Sequence, residues 1–363
     1  MASFDPGWLP LAMGSMPHTE AAAAWNAINA SLRAIPFWPQ LPRRNSLENM
    51  YAQFTERFPG LRYEKGRIHI DRKRDLDSDL ERLYLAYLED DRSYGRIGRD
   101  HAEGLGMLLA GEVTLPEEAQ AIKGQMTGPI SLGLTIVDRN QRPVLYDEVL
   151  ADAVGKHLRL KAAWQEYELA KHAPQTIVLL EEPYMASFGS AFVSVSREQV
   201  ISLFEEVFAG LEGLKGVHCC GNTDWSILLS TTADMLSLDA YDYAASFVRY
   251  PQEISEFLAR GGMIVWGIVP AGIAAESETV ESLVDRLLRA IASLVRQGVS
   301  EEALMKAGLV SPSCGLGSLT TALSERVLSL TAGVSEEMRR RYVSEPVPEA
   351  EAEGEQEEGD GRQ

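Results

Sequence analysis

No apolar run in the 363-residue chain reaches the roughly 18 to 20 residues that a membrane-spanning helix requires, which excludes a helical span. Cysteine is scarce: there are three, two of them adjacent (Cys219 and Cys220), which suits neither a disulfide framework nor an oxidising compartment. Metal ligation or simple burial are the readings left for them. Positive charge is also short, with 34 Lys and Arg against 53 Asp and Glu and a net charge of −19. Such a surface repels phosphates, so nucleic acid and anionic membranes are disfavoured as partners. Neither Gly-x-Gly-x-x-Gly nor Gly-x-x-x-x-Gly-Lys-Ser/Thr follows any apolar run, which argues against a nucleotide-binding open sheet. The opening MASFDPGWLPLAMGSMPH has no basic segment leading into a long apolar stretch, so a cytoplasmic location is expected.

What is present is an alternation. From about residue 120 short apolar runs (122–132, 176–183, 216–222, 234–241, 263–270 and 304–315) are separated by longer stretches with apolar residues at helical spacing. Runs that are apolar on both faces and alternate with helices imply a parallel sheet covered on both sides. Six such runs, a seventh at AMGSMPH (12–18) before an Ala-rich helix, and an eighth expected within 35–115 predict an α/β fold, a closed (β/α)8 TIM barrel. Residues 1–342 are read as one domain. Residues 343–363 carry eight acidic side chains against Arg362, with no apolar periodicity, and read as an acidic disordered tail.

In a barrel of this kind the chemistry gathers at the C-terminal ends of the strands. The unusual residues fall there: Gly14, Ser15 and His18; Thr127 and Gly128; Glu181 and Glu182; His218, Cys219 and Cys220; Asp239 and Asp242; Cys314 and Gly315. On a strand alternate side chains share a face, so His218 and Cys220 point together while Cys219 points away. With Cys314 from a distant strand they make a set able to hold Zn2+ with one position open, as in a catalytic site. Asp239 is the expected fourth, displaceable ligand, and Asp242 its substitute if the strand ends later. The competing reading is an apolar cluster in which the cysteines are small hydrophobes. Zinc held by two thiolates is a poor Lewis acid but lowers the pKa of a further thiol, so thiol alkylation is the matching reaction.

Several segments resemble the C-terminal catalytic half of cobalamin-independent methionine synthase, within the superfamily that includes uroporphyrinogen decarboxylase and the corrinoid-dependent methyltransferases. MGSMPHT (13–19) is similar to Ile-Gly-Ser-Phe-Pro-Gln-Thr, QMTGPISL (125–132) to Met-Leu-Thr-Gly-Pro-Val-Thr, and LEEP (180–183) to Ile-Asp-Glu-Pro. VHCCG carries the His-x-Cys pair, ADMLSLD (233–239) is similar to Ala-Asp-Val-Ile-Thr-Ile-Glu, and SPSCGLGS (311–318) to Asn-Pro-Asp-Cys-Gly-Leu-Lys. The resemblance implies a zinc-dependent methyltransferase that converts homocysteine to methionine. Met13, Gly14, Ser15 and Glu181 would then bind the amino acid, and His218, Cys220, Asp239 and Cys314 the metal.

The sequence also departs from the family pattern. The folate-binding half has no counterpart, so the expected donor is a methylated corrinoid protein rather than methyltetrahydrofolate. WGIVP (266–270) has no histidine where the family has Tyr-Asp-Ile-His-Ser-Pro, and Gln40 is the nearest polar residue for an early substrate-binding glutamate. A different small thiol as acceptor, or a uroporphyrinogen decarboxylase-like reaction, are the alternatives. Of the remaining candidates, Asn222, Asp224 and Trp225 are expected to steady His218, and Phe37 and Trp38 either cover the barrel mouth or form a packed loop. His18 abuts the substrate loop, His157 and His172 read as structural, and His69 and His101 lack supporting neighbours.

Overall fold

The structure, a computed structural model, describes residues 4–64, 66–71, 76–190 and 193–343. The expected acidic tail lies outside these apart from Val343. A two-stranded antiparallel hairpin, β1 (Leu61–Glu64) and β2 (Arg67–Ile70), stands apart from a six-stranded parallel sheet. The strands of that sheet are β3 (Ile122–Thr127), β4 (Thr176–Glu181), β5 (Leu214–Cys219), β6 (Met235–Leu238), β7 (Met263–Val269) and β8 (Gly308–Pro312), neighbours in sequence order. Every residue of β3, β4, β6, β7 and β8 is buried. That is the consequence of runs that are apolar on both faces, with a helix returning the chain between strands.

The sheet curls. Ile177, Leu179, Met235, Met263, Val265 and Leu309 meet in one cluster together with Leu9, Leu11, Met13 and Ile35 from the N-terminal segments. The larger cluster lies between the outer face and the helices, among them Glu148–Leu169, Arg197–Phe208, Val280–Arg296 and Thr321–Tyr342. Side-chain caps set where several of these helices begin: Ser196 with Gln199, and Thr279 with Ser282, form reciprocal capping boxes.

The expected eight strands of a closed barrel are not reached: six form the parallel sheet among the described residues, and the predicted first strand at 12–18 is not one of them. Two irregular segments occupy the remaining gap. Trp8 and Leu11 donate to the carbonyls of Gly308 and Val310 on β8, Gln40 and Met16 exchange bonds with the 14–16 segment and residue 40, and Lys123 of β3 donates to Pro36. Isolated parallel bridges Pro10 with Val310, Ser15 with Gln40 and Phe37 with Lys123 mark the same path. Prolines 10, 17, 36, 39 and 42 explain why it stays irregular, since each removes a ladder donor and fixes its own φ. In the 35–115 region the hairpin expected at YEKGRIHID is present, as is helix Leu76–Leu88, whereas SLENMYAQFTERF forms only the short turns Ser46–Glu48 and Ala52–Phe54.

Candidate metal centre

At the carboxyl ends of β5 and β8 the structure brings together His218, Cys220 and Cys314, with one ligand atom of each lying within 4.8 Å of the others. Register explains the first two. His218 pairs with Glu181 of β4 and Ser237 of β6, and the pleat that turns its ring inward turns Cys219 outward. Cys219 is fully buried among outer-face apolar residues and donates its S–H to the Gly221 carbonyl at 3.5 Å. Burial pushes its thiol up to about 12. Cys220 and Cys314 are only part-buried. Between these two the thiolate forms first on Cys220, held below the usual thiol range by a hydrogen bond from Cys314, while the Cys314 thiol is held above it for the same reason.

The imidazole is set for a ligand. Nδ1 of His218 lies 2.9 Å from Ser237 Oγ, and Nε2 is buried with no hydrogen-bond partner. A buried, unpaired imidazole nitrogen is costly unless something soft or cationic meets it, and two sulfurs stand beside it. The donor set therefore fits Zn2+, with an imidazole whose orientation the serine holds. Ser237 escaped the sequence reading. Its signal was its place two residues before Asp239, on the same strand face.

Asp239 is not part of the three-residue group. Its Oδ1 accepts from the Asp242 amide at 2.9 Å and caps helix Ala240–Phe247, although the ring of His218 is near enough to act on it. Burial holds the Asp239 carboxyl up at about 6. Asp242 lies in the first turn of that helix.

The residues assigned to the amino acid converge beside the metal group. Gly14 donates its amide to Glu181 Oε1 at a long 3.5 Å, and Glu181 is 7% exposed at the end of β4. Ser15 packs on Gly315, whose Cα leaves room for it, and its carbonyl accepts from Leu316. The Met13 side chain belongs to the inner apolar cluster, so only its main chain can face a substrate. Gly14 is required here: a Cβ would lie 2.3 Å from Gln125 and 2.4 Å from Gln40.

Glu182 and the Thr-Gly-Pro segment turn out to be architecture. The fully buried carboxylate of Glu182 accepts from the amides of Ile130 and Ser131 at 2.9 Å each and from Ser131 Oγ at 2.6 Å, holding the start of helix Pro129–Thr135. It packs so closely on Gly128 that a Cβ there would sit 2.2 Å from Oε1.

The other candidates are placed elsewhere. Asp224 caps the turn at Ser226, Asn222 bonds Ser246, and Trp225 is buried edge-on against Phe247, so none of the three steadies His218. Phe37 and Trp38 form the packed loop, Trp38 donating to Gln165 at 2.7 Å. Gln40 is buried, donates to Gln53 and leaves its own carbonyl oxygen unpartnered. His18 is buried 3.6 Å from Glu325, and His157 bonds the Phe54 carbonyl at 2.7 Å. A cleft of about 1190 Å³ opens beside Tyr51 and Tyr184 and runs to Arg67 and His69 of the hairpin.

Fold and site together define a curled parallel α/β sheet carrying an imidazole and two thiols at its carboxyl edge. No family model matches the chain, and no curated protein is significantly similar to it. Among solved structures it is similar to a B12-independent methionine synthase from Shewanella sp. W3-18-1, in complex with selenomethionine, at 21% identity and a TM-score of 0.46, covering 66% of this chain and 67% of that one. It is also similar to a protein of Listeria monocytogenes provisionally named as a vitamin-B12-independent methionine synthase, at 14% identity and a TM-score of 0.50, covering 90% of this chain and 87% of that one. The second likeness shows a shared fold along nearly the whole chain.

Proposed function

We propose that this chain is a zinc-dependent, methionine synthase-like methyltransferase that methylates the thiol of homocysteine. The observation that carries the reading is the unpartnered, buried Nε2 of His218 beside the sulfurs of Cys220 and Cys314. Those three residues would hold the ion, with Asp239 the adjacent carboxylate. Zn2+ held there would lower the pKa of an incoming thiol, making its thiolate available near neutral pH.

The chain's own groups supply the rest. Ser237 keeps the His218 ring in one orientation. Glu181, sheltered from water, receives the substrate ammonium, while the hydroxyl and main chain of Ser15, with Gly14, meet its carboxylate. The thiol end then points to the two cysteines, and the cleft at Tyr51 and Tyr184 admits the donor.

The donor has two readings. A methylated corrinoid protein offers a weak cobalt–carbon bond, easier to break than the carbon–nitrogen bond of methyltetrahydrofolate. The name of the Listeria protein excludes vitamin B12 for that protein and favours a cobalt-free donor here. The test is methionine formation by purified protein from homocysteine, with methylcobalamin and methyltetrahydrofolate compared and zinc measured. Protein free of zinc as purified, or activity untouched by Cys220→Ser, refutes the proposal.

A further inference from the structure

Four tyrosines of this chain, Tyr84, Tyr87, Tyr167 and Tyr241, hold a lysine or arginine over the ring, 4.1 to 5.7 Å from its centroid. Beside the metal group stands a pair with no such partner among the described residues: Tyr51 and Tyr184. Their ring centroids are 6.2 Å apart and the planes are tilted by 55°, so the two faces diverge as a wedge rather than stack. Both line the cleft of about 1190 Å³, and Tyr184 is 39% exposed.

The strand ends hold this wedge where it is. Thr127, the last residue of β3, donates its hydroxyl to the Met50 carbonyl at 2.5 Å, and the Tyr51 amide donates to Asn49 Oδ1 at 3.1 Å. Tyr184 lies just beyond β4, its amide donating to Ser131 Oγ at 3.1 Å. Tyr51 is close enough to Cys220 for the two to interact electrostatically, which puts the wedge over the thiol edge. The face of a neutral aromatic ring is its negative side and attracts a cation, the more so where water is shed. The arginines of the cleft, Arg67 and Arg139, line its hairpin end, and Arg139 is taken by Asp71 at 2.7 Å. The net charge of −19 likewise draws cations toward the chain.

We propose that the methyl donor is an onium compound, its methyl group on a positively charged sulfur or nitrogen seated between Tyr51 and Tyr184. The inference rests on the reading that the chain methylates a thiol and adds the chemical class of the donor. The reaction closes without a further reactant. Homocysteine gives its thiol proton to solvent, and a lone pair of the thiolate forms the new sulfur–carbon bond. The electrons of the old bond return to the onium atom, which leaves as a neutral thioether or tertiary amine. Thiolate and onium thus become two neutral products, and a site poor in water favours a step that removes charge. A sulfonium is the better donor of the two, since a thioether is the weaker base and leaves more readily. The amine of methyltetrahydrofolate, uncharged at neutral pH, gains no comparable attraction from the rings.

The test has a binding arm and a turnover arm, both on zinc-loaded protein. Dimethylsulfoniopropionate and 4-methylpentanoate share shape and carboxylate, but only the first carries the onium charge; calorimetry without homocysteine measures each. The sulfonium is expected to bind about tenfold or more tighter than its isostere. Tyr51→Leu and Tyr184→Leu should each raise the sulfonium Kd about fivefold or more and shift the isostere by less than about twofold, while Tyr51→Phe and Tyr184→Phe stay near wild type. For turnover, methionine formation from homocysteine compares dimethylsulfoniopropionate, S-methyl-L-methionine and glycine betaine with methyltetrahydrofolate and methylcobalamin. Methionine from an onium donor is expected, fastest from a sulfonium; methionine from glycine betaine alone would assign the charged atom to nitrogen. Equal affinity for the two isosteres, leucine variants that bind the sulfonium as wild type does, or methionine from methyltetrahydrofolate or methylcobalamin with none from any onium donor overturns the inference. Wild-type protein that makes no methionine from any of these donors refutes the methyltransferase reading itself, and the inference with it.

Discussion

Glu182→Gln tests whether the acidic residue next to Glu181 is architecture. The wild-type carboxylate accepts three hydrogen bonds with two oxygens, from the amides of Ile130 and Ser131 and the hydroxyl of Ser131. A glutamine offers one oxygen, so its NH2 group must face an N–H donor in a site with no water to relieve it. A buried donor left this way costs about 1–3 kcal/mol. The penalty depends on pH. Burial raises the Glu182 carboxyl from 4.5 to about 7, so the folded state binds the proton more tightly than the unfolded one, and wild-type stability falls as pH rises through that window. At 1.36 kcal/mol per unit the full loss is about 3 kcal/mol. The glutamine variant has no such titration. Urea unfolding should therefore show the gap by which wild type exceeds the glutamine variant shrinking, or reversing, by up to about 3 kcal/mol between pH 5 and pH 8. A gap that stays constant or widens with pH refutes the reasoning, and loss of bound zinc in the variant would return Glu182 to the site.

His218→Ala, Cys220→Ser and Cys314→Ser should each lose zinc, measured on the purified protein, whereas Cys219→Ser should retain it because that sulfur faces the outer core. Ser237→Ala leaves all three ligands in place but frees the imidazole, and zinc affinity measured by competition with a chelator should fall about 10- to 100-fold. In zinc-free protein at pH 8, alkylation followed by mass spectrometry should label Cys220 first, since its thiol is held below the usual range, and Cys219 last, since its sulfur is fully buried. Glu181→Gln should raise the KM for homocysteine with little change in kcat, because the group binds the ammonium away from the reacting sulfur.

Period-two alternation was enough to separate Cys219 from its neighbours and to pair His218 with Cys220, because that depends only on a strand being a strand. The resemblance of MGSMPHT and LEEP to known segments likewise brought Gly14 and Glu181 together on paper before a hydrogen bond joined them. The two adjacent glutamates were beyond such reasoning. Glu181 ends β4 and Glu182 follows it, yet Glu181 faces the mouth and Glu182 faces a helix start, and the difference lies in what packs on each side of the sheet. Asn222, Asp224 and Trp225 were reasonable partners for His218 by chain proximity, but Ser237 on the neighbouring strand holds it, 19 residues away.

Local chemistry along the chain determined the alternation of strands and helices, the inner and outer faces of each strand, and the residue types able to hold a soft metal. Those follow from rotation per residue and from side-chain chemistry, which no distant contact alters. The curl of the sheet decided the rest: that Cys314 reaches His218 and Cys220, and that proline-rich segments rather than two further strands bridge β8 to β3. Such relations are set by which side chains exclude water together, and only the packed chain contains that information.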